Sequence, residues 1–298
     1  MSLDLSGCWV PLITPFNQDM SLDEKGLRVL VDHFIDQGVR GLVPVGTTGE
    51  SPTLSHEEHI RVIEVVIDQA GGRAPVMAGA GSNATHEAVA MTRQAADIGA
   101  DASLQVVPYY NKPTQPGMKA HFLEVARAVK LPLVIYNIPG RTAKNIEVET
   151  ILALAREAEN IVGVKDAAAD MSQTMRLIEE TRSLSKPFFH LTGEDALTFA
   201  NLCLGGHGAI SAVANVIPAE MVELCRLATE GRVEEARELH YRVLNLIRAL
   251  FIETNPAPVK EALAMMGLPS GPLRLPLTPL TPPSRQRLEA ALKALGKI

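Results

Sequence analysis

What the chain lacks narrows its class first. Its three cysteines, Cys8, Cys203 and Cys225, are widely separated and include no CxxC pair. An odd, scattered set excludes a disulfide framework or a structural zinc knuckle and reads as free thiols in a reducing compartment. No run approaches about 18 consecutive apolar residues, so no membrane span is expected. The opening MSLDLSGCWVPLITPF has no basic region followed by an apolar run and a cleavage site, which makes the cytoplasm the expected location. The formal net charge is -6 and no basic cluster occurs, which argues against nucleic acid, because phosphate binding needs concentrated Lys and Arg. No Gly-x-Gly-x-x-Gly follows the first apolar run, removing the main support for a dinucleotide fold. The eight histidines form no convincing ligand set with neighbouring acids, so no metal site is expected.

What is present is a rhythm. Eight short β-rich runs alternate with longer helical patterns: WVPLIT near Trp9, GLVPVG from Gly41, PVMAGA from Pro75, ASLQVVP from Ala102, LPLVIYN from Leu131, IVGVKD from Ile161, FFHLTG from Phe188 and GAISAV from Gly208. Most are apolar on both faces, as strands are when helices cover one side and packed side chains the other. Helix starts lie at Ser55, with Glu57 and Glu58 behind it, and at Asn83 or Thr85, running to Gly99. The alternation favours a (β/α)8 TIM barrel, and the count alone leaves an open doubly wound sheet as the alternative. After the eighth strand only helices follow, at about 218–229, 232–253, 256–267 and from 284. We therefore divide the 298 residues into a catalytic barrel, 1–229, and a C-terminal helical appendage, 230–298. With 46% hydrophobic and 21% charged residues the composition is ordinary for a globular chain.

In such barrels the C-terminal ends of the strands share one mouth. The sixth run, IVGVK, ends in Lys165, an amine among apolar residues. Burial disfavours the charged form of an amine and is how a Schiff-base lysine is made nucleophilic. The alternative is a packing lysine whose head pairs with Asp166 or another acid. Tyr136 ends the neighbouring fifth run and is either a proton-passing phenol or a rim residue packing through its ring. The Gly46-Thr47-Thr48-Gly49 turn suits a carboxylate approaching backbone N–H groups and hydroxyls, and equally a plain strand-to-helix turn. Arg141, in the loop leaving the fifth run, is either a bidentate carboxylate binder or a solvated loop arginine.

In order along the chain, ITPF at Ile13, GTTGES at Gly46, AGAGSNAT at Ala78, PYYNKP at Pro108, YNIPGRT at Tyr136, GVKD at Gly163, GGHGAIS at Gly205, NPAPVK at Asn255 and LRLPLTP at Leu273 resemble the dihydrodipicolinate synthase branch of the N-acetylneuraminate lyase family of pyruvate-dependent aldolases. The resemblance implies that Lys165 forms the pyruvyl imine and that Thr47, Tyr136 and Tyr110 relay protons, Tyr110 reaching across a subunit interface. It implies that Thr48 holds the pyruvate carboxylate, that Arg141 binds the carboxylate of aspartate 4-semialdehyde, and that Gly193 and Ile210 line the pocket through their backbone. No cofactor is implied beyond the covalent imine, and the assembly implied is a homotetramer of two tight dimers. Residues corresponding to His56, His59, Gly81, Asn83, Glu87 and Tyr109 form a lysine-inhibition pocket in some relatives, although Pro52 stands where they usually carry alanine. The segments Asp166-Ala167-Ala168-Ala169-Asp170 and Thr192-Gly193-Glu194-Asp195 also depart from the usual pattern. Two other readings stand beside this one: a sibling lyase acting on N-acetylneuraminate, a 2-oxo-3-deoxy sugar acid or 4-hydroxy-2-oxoglutarate, and a non-catalytic sensor of a 2-oxo acid or lysine.

Overall fold

The computed structural model describes residues 3–298. Eight strands, β1 (Gly7–Val10), β2 (Gly41–Leu42), β3 (Met77–Gly79), β4 (Ala102–Val106), β5 (Leu133–Asn137), β6 (Ile161–Asp166), β7 (Phe189–Thr192) and β8 (Gly208–Ile210), form one parallel sheet in the order β2-β1-β8-β7-β6-β5-β4-β3. The ends of that order meet: Leu42 bridges Val76, and the Gly79 N–H donates to the Pro44 carbonyl at 3.0 Å. The sheet is therefore a (β/α)8 barrel, and the open-sheet alternative is excluded.

Alternation along each strand sorts side chains into two layers. Trp9, Val43, Met77, Leu104, Val134, Tyr136, Leu191 and Ile210 fill the barrel as one buried cluster. Trp9 is accommodated because its register partner is Gly41, where a Cβ would lie 2.3 Å from the indole ring, and the indole N–H is satisfied by the Leu5 carbonyl at 2.8 Å. Val10, Leu42, Val76 and Ala78 point outward into a second cluster under the helices. The run GLVPVG keeps only two residues in β2 because Pro44 has no N–H and Val45 takes a left-handed φ of 56°.

Around the barrel lie α1 (Glu24–Asp36), α2 (His56–Ala70), α3 (Thr85–Asp97), α4 (Gln115–Ala128), the single turn α5 (Pro139–Thr142), α6 (Val148–Glu157), α7 (Met171–Thr181), α8 (Thr198–Cys203) and α9 (Pro218–Thr229). The expected start of α2 is realised as a capping box. The Ser55 hydroxyl accepts from the Glu58 N–H at 3.2 Å, and the Glu58 carboxylate accepts from the Ser55 N–H at 3.0 Å. After the barrel come α10 (Val233–Leu250), α11 (Ala257–Met265) and α12 (Pro282–Ala294). Their apolar faces, including Leu239, Val243, Leu246, Val259, Leu263, Leu288 and Leu292, join the cluster that contains Val10, Leu12, Leu30 and Phe34. The C-terminal helices thus share a core with the first barrel units. Among the described residues no helix is long and apolar enough to cross a membrane.

Candidate active site

Lys165 and Tyr136 are register partners on β6 and β5 and point into the barrel, each 5% exposed. The Lys165 Nζ lies 4.0 Å from the centre of the Tyr136 ring, a cation–π distance. Asp166, one residue on, turns outward. Its Oδ1 accepts from the Asn137 side-chain amide at 3.0 Å and the Ala168 N–H at 3.1 Å. The packing alternative, in which Asp166 holds the lysine head, is therefore not the one adopted. On the other flank stand Leu191, the register partner on β7, and then Gly193. A Cβ on Gly193 would lie 2.8 Å from the Lys165 Cε, so glycine makes room for the lysine stem. Ile210 is buried on β8 within the same interior cluster.

Near the lysine lies a carboxyl to which the sequence alone assigns no role. Asp195 is 1% exposed and accepts from the Ser211 hydroxyl, while its Oδ2 has no partner among the described residues. Burial pushes it up to about 7; the Ser211 hydrogen bond opposes that rise, Glu194 adds to it, and the charge of Lys165 draws it back.

The Gly-Thr-Thr-Gly turn is a single 3-10 turn, Thr47–Gly49, bracketed by two non-glycine residues in the left-handed region, Val45 and Glu50, both at φ 56°. For a β-branched residue this is a strained conformation of the kind that collects at functional sites. A Cβ on Gly49 would lie 3.1 Å from the Leu12 carbonyl, a tight contact that favours glycine there. Thr48 is buried, and its hydroxyl oxygen accepts from the Asn255 side-chain amide at 3.0 Å. Arg141, on α5, donates from Nη2 to the Asn255 carbonyl at 3.0 Å. Asn255 thus touches both groups, and sequence reasoning missed it as a site residue although it lies in the NPAPVK segment.

Thr47, Tyr136 and Arg141 line a cavity of about 370 Å³, and Pro52, His56, His59, Gly81, Glu87 and Tyr109 belong to the same wall. The carboxylate of Glu87 accepts from the Ser82 hydroxyl at 2.7 Å. His59 is held through Nε2 at 2.6 Å from the Gly79 carbonyl, and burial keeps it below the ordinary imidazole range. Tyr109 is pushed up by partial burial and by the charge of Glu87. Asn83 is not part of the cavity wall; its amide donates to the Tyr109 carbonyl at 3.2 Å and steadies that loop. Tyr110 stands apart from all of them, 90% exposed at φ 71°. Among the described residues no three His, Cys, Asp or Glu side chains are grouped to hold a metal ion.

A parallel barrel with a buried lysine and tyrosine as register partners on adjacent strands, and a hydroxyl-bearing turn in the tyrosine's cavity, defines the class: a (β/α)8 barrel with a lysine in its interior. The Dihydrodipicolinate synthetase family is matched across residues 4–295, and the chain belongs to it. It is 50% identical over 292 residues to the 4-hydroxy-tetrahydrodipicolinate synthase of Methanocaldococcus jannaschii, covering 98% of this chain and 99% of that one. Among solved structures, the chloride-inhibited dihydrodipicolinate synthase from Acinetobacter baumannii complexed with pyruvate superposes with a TM-score of 0.95 at 44% identity, covering 99% of this chain and 100% of that one. The enzyme from Cyanidioschyzon merolae with lysine bound gives a TM-score of 0.95 at 40% identity, covering 98% and 99% of the two chains.

Proposed function

We propose that the chain is a Schiff-base-forming 4-hydroxy-tetrahydrodipicolinate synthase that condenses pyruvate with aspartate 4-semialdehyde on the path to diaminopimelate and lysine. The observation that carries this reading is the place of Tyr136, whose ring centre lies 4.0 Å from the Lys165 Nζ and which shares a cavity with Thr47 of the turn. In this mechanism the Lys165 amine attacks the ketone carbon of pyruvate, water leaves, and an imine forms. Loss of a methyl proton gives the enamine, whose carbon attacks the aldehyde. The amine of the semialdehyde then attacks the imine carbon, closing the ring and releasing Lys165. Each proton transfer needs a positioned acid or base, and we assign these to Tyr136, Thr47 and Tyr110. Thr48 holds the pyruvate carboxylate, Arg141 the carboxylate of the aldehyde, and Gly193 and Ile210 shape the imine pocket. Arg141 favours a short aldehyde with its own carboxylate over the polyhydroxylated substrates of the sibling lyases.

The exposure of Tyr110 supports its assignment to a neighbouring subunit's site, and with it a homotetramer of tight dimers. The free state of Cys8, Cys203 and Cys225 suits a cytoplasmic enzyme. Lysine is our candidate inhibitor, received by His56, His59, Gly81, Glu87 and Tyr109, with Asn83 holding the Tyr109 loop from outside the wall. Glu87 offers a carboxylate to its amine, and the lysine-bound relative supports the choice.

Borohydride added with pyruvate tests the central step. A reduced pyruvyl adduct is expected on the peptide carrying Lys165, and a modified chain with that peptide intact would sink the assignment. A turnover screen of pyruvate against several aldehydes then separates this activity from the sibling lyases.

A further inference from the structure

A second buried lysine, Lys260 on α11, is used in a different way from Lys165. Its Nζ donates to Glu50 Oε1 at 2.8 Å, to the Thr14 carbonyl at 3.1 Å and to the Pro272 carbonyl at 2.6 Å, so all three of its donors are spent. The side chains of Lys260 and Glu50 are 2% and 0% exposed. The other Glu50 oxygen takes the Arg274 N–H at 3.2 Å. Thr14 closes the arrangement, since its hydroxyl donates to the Gly49 carbonyl at 2.7 Å. Two of these bonds end on Glu50, which follows the turn in a left-handed conformation at φ 56°, and a third ends on Gly49 within it.

A buried ion pair is a poor device for stability, because an apolar pair of similar volume often does as well. Its distinctive property is directional: it fixes one backbone position against another. The same C-terminal segment also sends the Asn255 amide to the Thr48 oxygen at 3.0 Å. That bond occupies a lone pair of the Thr48 hydroxyl and leaves its proton to be donated elsewhere.

We propose that Lys260 is a positioning residue for the 2-oxo acid: through Glu50 it holds the Thr47–Gly49 turn so that its donors converge on the carboxylate. The inference rests on the assignment of that turn to pyruvate. It acts on the 2-oxo acid, because the ion pair ends on Glu50 next to the turn, whereas Arg141 bonds to the Asn255 carbonyl and to neither member of the pair.

The test uses the full chain as Lys260→Met and as the charge-free pair Glu50→Gln/Lys260→Met, the second avoiding a lone buried carboxylate. The expected result for the pair is a folded protein by circular dichroism whose KM for pyruvate rises about ten- to a hundredfold, the scale of a small misplacement of a binding group. Its KM for the semialdehyde and its Lys165 trapping at saturating pyruvate are expected to stay at the wild-type level. A wild-type KM for pyruvate in the pair would overturn the proposal, as would equal losses for both substrates, or failure of both variants to fold, which would assign the ion pair to folding alone. Failure of the underlying reading looks different: wild-type protein would then not be trapped at Lys165.

Discussion

Lys165 and Lys260 are both lysines embedded in apolar sequence, IVGVK and APVK, and the same pattern flags both. Their surroundings part them. Both lie over an aromatic ring, Phe16 at 4.5 Å and Tyr136 at 4.0 Å, but Lys260 also meets three oxygens, whereas Lys165 lies near a carboxyl that burial pushes up to about 7. That carboxyl makes a pH prediction. Asp195 is raised above its ordinary value of 3.8, so the folded chain holds a proton that the unfolded chain releases, and the stability this confers is lost as pH rises from about 4 to about 7. Burial lowers His121 to about 4 and His190 to about 3 from 6.5. Their contribution has the opposite sign: it is complete above 6.5 and is lost as pH falls below it. Asp195→Asn removes only the first effect. Its melting temperature should exceed the wild type's at pH 8, match it near pH 4, and fall more steeply on the acid side. Melts followed by circular dichroism across that range would show this, and an offset independent of pH would refute it.

At the scale of elements, most of the architecture is legible because it is local. Strands covered on both faces are apolar throughout, and Ser55 followed by Glu57 and Glu58 marks a helix start, which the structure realises as a capping box. Ser55→Ala should cost about 1 kcal/mol, read as a lower urea midpoint at unchanged slope; an unchanged midpoint would mean that the Arg274–Glu58 pair at 2.6 Å alone secures the helix start. Where reading fell short, the cause is distance along the chain or backbone geometry. The shortening of β2 follows from Val45, whose left-handed φ no valine advertises. The partners of Thr48 and Glu50 lie 207 and 210 residues away, beyond any periodicity. Lys165, Tyr136 and Thr47 were legible because each sits at the end of a recognisable strand, and barrel closure brings such ends together. Asp195 was visible as a residue, but its burial beneath Ser211 was not.

At the scale of the whole molecule, the exposed Tyr110 makes the proposed assembly testable by complementation. Lys165→Ala and Tyr110→Ala should each lose most activity, and mixing the two after dissociation and reassociation should restore part of it. In a mixed dimer one site combines an intact lysine with the partner copy's intact tyrosine. Absence of recovery, with exchange of subunits verified by mass, would place Tyr110 outside the neighbouring site.

The tie between α11 and the Thr47–Gly49 turn also sets an order of events during synthesis. The turn and Lys165 leave the ribosome long before Lys260, at roughly 5–20 residues per second, so on the proposed roles a nascent chain that already carries its reactive amine still lacks the grip on its carboxylate-holding loop. Competence arrives only with the last part of the chain, and truncated products carry the nucleophile without the means to orient a substrate against it.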